Sequence, residues 1–188
     1  MKLAAIIDVV AAIAIGSSAS AQDLSAVEGV RMAVMTTCYP MIAGGDAQAA
    51  RRSVTSGDLR DGAPHGFPQA DLETLLDVPG DSAAIPFHVP VSTGQVLVIS
   101  APGAGVCSVA MTGSDGEAVG AEIDVWFNGE PSPFTRLQNT EGPAGWGRVY
   151  EGAETPSRPT RILTTTMRDG FRQDVPIRFL ATMHRISD

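Results

Sequence analysis

Histidine and cysteine are scarce in this chain, and the scarcity narrows its chemistry before any motif is sought. There are three histidines and two cysteines among 188 residues. Hydrolytic catalysis needs a nucleophile, a base that activates it and a group that orients the base. No G-x-S-x-G elbow presents a serine. No H-E-x-x-H occurs, and no Cys/His spacing suits zinc. The D-x-[DN]-x-[DN]-G calcium loop is missing as well. Carboxylates are plentiful, yet no spacing singles out a glycosidase pair. No metal and no cofactor is therefore expected.

A basic block is also lacking. Twenty-one acidic residues stand against 13 basic ones, for a net charge of −8. That balance argues against nucleic acid or anionic lipid as partners, because both demand clustered positive charge. It leaves the partner open between a protein and a small molecule. There is no internal repeat and no low-complexity tract. Beyond the first residues, no apolar run approaches the ~20 residues that span a bilayer.

The chain begins MKLAAIIDVVAAIAIGSSASAQ. Lys2 is a positive n-region, Leu3–Ile15 a short apolar core, and Ala19-Ser20-Ala21 an A-x-A cleavage site. This reads as a signal peptide over residues 1–21, cut before Gln22. Asp8 inside the core is atypical, and a retained anchor is the competing reading. Export predicts a periplasmic or secreted protein with no stable membrane span, and residues 22–188 as one domain. In an oxidising compartment, Cys38 and Cys107 read as a disulfide. A redox pair would more often be spaced CxxC, where one thiol lowers its neighbour's pKa. Closing a loop of about 70 residues is worth roughly 4 kcal/mol in the chain-entropy account.

Gln95–Met111, QVLVISAPGAGVCSVAM, predicts the central hairpin of a sheet. Val96–Ile99 is continuously apolar and mostly β-branched, so both faces should be covered. Ala101–Gly105 supplies the turn. Cys107, Val109 and Met111 then share one face. Gly103 and Gly105 could open a GxGxxG pattern, but position 108 is Ser and no βαβ unit surrounds it.

Leu24–Met41 predicts a helix. Ser25 and Glu28 form a capping box, and Val27, Val30, Val34, Cys38 and Met41 fall on one face. Pro40 should end or kink it. A Cys38–Cys107 bond would pin this helix across the hairpin. Ala47–Val54 and Gln69–Val78 predict two short helices. Arg51 and Arg52 are a solvated face or an anion site. Thr55–Pro68 between them is a turn-rich loop or flap holding His65. Ile85–Val89, with Pro86, suits only an edge strand or an extended segment; His88 there reads as packed.

Ser114–Glu117 is a second capping box, opening a helix to about Asn128. Val119, Ile123, Trp126 and Phe127 form its apolar stripe, with Glu117, Glu122 and Asp124 outward. Strands follow at Phe134–Gln138, Trp146–Glu151, Arg161–Arg168 and Ile177–Arg185, with Asn139–Gly145 as a loop. In the last strand, Ile177, Phe179, Ala181 and Met183 point inward.

Trp146, Arg148 and Tyr150 alternate and share a face. Amphipathic rings beside an arginine are enriched in binding hot spots; ordinary core packing is the competing reading. His65 joins them as a candidate binding residue. His65 or His184 would serve a hydrolase.

The exported start, the early TTCYP helix and the VCSV strand followed by a helix resemble the small uncharacterised exported proteins of alphaproteobacteria. The likeness covers mainly Val27–Phe127 and implies no activity. The element order predicts an α+β fold. A mostly antiparallel sheet of about five to seven strands carries a disulfide-pinned N-terminal helix and a second helix after the hairpin. That order also resembles profilin-like and PAS-like sensors, an analogy of fold alone. The expected function is a non-catalytic periplasmic binding or interaction protein. The alternatives are a small periplasmic hydrolase and an accessory subunit of an envelope complex.

Overall fold

The computed structural model describes residues 24–44, 60–62, 85–101, 105–113, 116–129, 134–153, 159–168 and 177–186. Two short helices predicted at Ala47–Val54 and Gln69–Val78 lie outside these residues. So do the expected signal peptide over residues 1–21, the Arg51-Arg52 pair, His65, and the expected cap at Ser114.

The first helix begins where the capping box places it, at α1 (Ala26–Met32). The Ser25 hydroxyl accepts from the Glu28 amide, and the Glu28 carboxylate accepts from the Ser25 amide at 3.0 Å. The Ser25 hydroxyl and amide hold the Glu28 carboxyl below its ordinary pKa. The helix then widens into a π-helical stretch over Ala33–Cys38 and resumes as α2 (Tyr39–Gly44). The Tyr39 amide donates to the Val34 carbonyl, five residues back. Pro40 neither ends nor breaks the helix. Its ring would collide with the carbonyl four residues earlier in a regular α-helix, and the wide turn directly before it makes room. Arg185 donates from Nε to the Ile42 carbonyl at 3.1 Å. A cation there suits the negative end of the helix.

The strands are β1 (Arg60–Asp61), β2 (Ile85–Val89), β3 (Gln95–Ala101), β4 (Val106–Thr112), β5 (Phe134–Gly142), β6 (Gly145–Ala153), β7 (Pro159–Met167) and β8 (Ile177–Arg185). They form one sheet in the order β1-β2-β3-β4-β8-β7-β6-β5, every pair antiparallel. Apart from the two-residue β1, that makes the expected α+β sheet of seven strands. The β3–β4 hairpin is central to it. α3 (Gly116–Asn128) leaves β4 and crosses the sheet to deliver the chain to β5, at the far edge. Pro86 keeps β2 near the other edge, where the Pro86 carbonyl accepts from the Gly62 amide at 3.0 Å.

Both helical regions pack on one face. Cys38 and Cys107 are bonded, with Cα atoms 5.4 Å apart, so the first helix is fastened to the middle of the sheet. Gly29 sits so close to the sheet that a Cβ would stand 2.5 Å from Val91 Cγ1. Val30, Val34, Met41, Val98, Val109, Met111, Ile162, Phe179, Ala181 and Met183 fill the space between. Leu97, Ile99 and Ala110, which point from the other face, are buried too. The apolar run of β3 is thus covered on both sides, as its lack of alternation requires.

One loop expectation is corrected. Asn139–Gly145 is mostly strand, because β5 runs to Gly142 and a two-residue turn, Pro143-Ala144, joins it to β6. Residues 135–141 are all exposed, so this edge strand lacks the apolar alternation by which a half-buried strand announces itself.

Candidate functional site

The second helix sets the site by where its glycine falls. α3 buries Gly116, Val119, Gly120, Ile123 and Phe127. A Cβ on Gly120 would lie 2.2 Å from Thr166 Oγ1. The helix backbone therefore lies directly against the Thr166 side chain of β7, with Val119 and Ile123 buried beside it. Asp124, one turn on, was expected on the outer face; it faces the sheet instead, and its side chain is 23% exposed. The proximity allowed by Gly120 turns this edge of the helix inward.

Asp124 gathers four side chains. Tyr150 donates its hydroxyl to Oδ1. Asn128 donates to the same oxygen at 3.0 Å. Arg136 lies 3.3 Å from Oδ2. Arg148 Nε stands 3.7 Å from Oδ1, while its NH1 donates to Asn139 Oδ1. Burial, and then the Asp124 carboxylate, push the Tyr150 phenol well above its ordinary pKa of 10.0. A phenol that donates to a carboxylate resists ionisation, because a second negative charge would face the first.

The three residues singled out on β6 do share one face. Their neighbours across β7 are Thr166, Thr164 and Ile162, all buried on the helix side. Their environments differ. Tyr150 is fully buried. Its ring lies 4.7 Å from Phe127, which meets Phe134 at 5.0 Å; Phe134 in turn meets Tyr39 at 5.2 Å. Both tyrosines of the chain thus join this cluster. For Tyr150 the core-packing reading holds. Arg148, with its side chain 12% exposed, is an internal clamp. Trp146 is only half-buried, with the Arg148 guanidinium 5.9 Å from its ring centroid.

Trp146 also borders an open, largely apolar pocket of about 230 Å³ at the end of the β5–β6 hairpin. Thr140, Glu141 and Gly142 supply one wall, and Thr165, Thr166 and Met167 another. Arg168 spans its approach, 2.9 Å from Glu141 and 3.8 Å from Glu117. The other tryptophan, Trp126, is half-buried rather than part of the stripe's centre. It stacks on Phe127 at 4.8 Å, with the Arg31 guanidinium 5.0 Å from its ring centroid.

The two described histidines are elsewhere. His88 on β2 donates from Nδ1 to the Gly62 carbonyl at 3.0 Å. His184 on β8 pairs with Val106 and Arg161, on the face opposite the helices. Among the described residues, no group of three or more His, Cys, Asp or Glu side chains could hold a metal ion. Nor is any helix among them long and apolar enough to cross a membrane.

Sequence reasoning missed Asp124, Arg136 and Asn139. The signal for Asp124 was present in the spacing: Glu117, Gly120, Asp124 and Asn128 run along one edge of the helix. No family model, curated protein or solved structure matches this chain. The profilin-like and PAS-like analogy stays a likeness of element order.

Proposed function

We propose that this is an exported, periplasmic binding or interaction protein, in which Trp146 and the pocket beside it meet the partner. One observation carries the reading. Within a single alternating trio, Tyr150 and Arg148 are held by Asp124, whereas Trp146 is left partly open at a pocket rim. A half-exposed indole can contribute contact area to a partner without being missed by the core. The Cys38–Cys107 disulfide supports export, since such bonds persist in oxidising compartments. Residues 1–21, with their A-x-A site, would supply the route.

The test is affinity capture from an envelope extract, with wild-type and Trp146→Ala protein as baits. The reading expects Trp146→Ala to keep the wild-type circular dichroism spectrum and cooperative melt while losing the captured partner. A variant that unfolds would return Trp146 to the core. A folded variant that captures the partner undiminished would remove it from the interface.

A further inference from the structure

Among the described residues, no further strand lies beyond one edge of the sheet. β5 closes the sheet on one side, and residues 135–141 are exposed along it. Its ladder with β6 contains a bulge: Arg136 pairs with Tyr150, Gln138 with Val149, and Leu137 is skipped. A bulge shifts the alternation of side chains by one residue. Arg136 and Glu141, five apart in sequence, would otherwise point to opposite faces. With the bulge they point to the same one, opposite Tyr150 and Trp146.

We propose that β5 pairs antiparallel with β5 of a second copy of this chain, with Asn139 on the two-fold axis. In that register, with Leu137 skipped in the new ladder as it is against β6, the Arg136 of each copy stands across from Glu141 of the other, and Gln138 across from Thr140. Opposite charges directly across an antiparallel pair stabilise it, and like charges oppose it. An isologous contact also pairs the outward amides and carbonyls along residues 135–141. Arg136 and Glu141 are 42% and 58% exposed at their side chains, so both remain accessible while holding Asp124 and Arg168. Glu141 borders the Trp146 pocket. The second copy would therefore bring an arginine to the rim of each pocket.

Strand-edge pairing alone buries less than the ~1,200–2,000 Å² of a standard stable interface, so the dimer should be weak and concentration-dependent. Sedimentation velocity over a concentration series measures it. Two double variants test the register, because Gln138 and Thr140 are both exposed and tolerate exchange. Q138K/T140E places a lysine across from a glutamate twice and should tighten the dimer roughly tenfold. Q138E/T140E places like charges across the axis and should weaken it by about the same factor. Circular dichroism melts confirm that both variants stay folded. The proposal is overturned if wild-type protein is monomeric at every concentration. It is equally overturned if a dimer forms but both variants shift it alike, or if β5 takes up an added extended peptide in place of a second copy.

Discussion

Tyr150 ends in a hydroxyl aimed at Asp124, and that one contact has two measurable consequences. Tyr150→Phe removes a hydrogen bond to a charged, partly exposed acceptor, and should cost about 1–2 kcal/mol in urea unfolding at neutral pH. The second consequence is pH-dependent. The fold favours the protonated phenol, so the native chain keeps its proton where the unfolded chain has begun to lose it. The stability this supplies is complete below the unfolded value of 10.0 and is lost as pH rises above it. Urea midpoints measured from pH 8 to pH 11 should fall in wild type above pH 10, and less steeply in Tyr150→Phe. Asp124→Ala is the harsher change. It leaves the phenol without its acceptor and Arg148 without its ion-pair partner, and should cost about 2–3 kcal/mol in the same assay, tempered by the partial exposure of Asp124. At this scale the sequence was half legible. Period-two alternation put Trp146, Arg148 and Tyr150 on one face, but it carries no record of which ring the core would absorb. That depended on Phe127 and Asp124, which lie more than 20 residues away.

The elements were legible wherever burial imposed a period. The capping box at Ser25, the valine stripe to Met41, the β3–β4 hairpin and the inward residues of β8 all follow from spacing. β5 escaped because an exposed edge strand needs no apolar alternation. Pro40 misled because a π-helical turn can absorb a ring that an α-helix cannot. The contact of α3 with β7 offers an element-scale test. Glycine to alanine normally gains up to about 1 kcal/mol inside a helix. Gly120→Ala should instead destabilise by about 1–3 kcal/mol, because its Cβ would meet Thr166 at 2.2 Å and the helix must lift. Urea unfolding measures it. An unchanged or raised midpoint would show that helix and sheet can separate freely.

For the whole molecule, the disulfide ties the first helix to the sheet across 69 residues of sequence. Two cysteines in a chain expected to be exported made the pairing readable. The coverage of β3 on both faces followed from its unbroken apolar run. The route of α3 across the sheet to the far edge was not readable, because strand order depends on long-range pairing that no local spacing encodes. In the chain-entropy account, losing the bond through Cys38→Ser with Cys107→Ser should cost roughly 4 kcal/mol. The proposed function requires an exported, disulfide-fastened scaffold. The most direct measurement is peptide mapping by mass spectrometry of protein recovered from the envelope fraction, alkylated without reductant. The expected result is a chain beginning at Gln22, with the Cys38 and Cys107 peptides linked and unalkylated. A chain that retains residues 1–21 and carries alkyl groups on both sulfurs would contradict it.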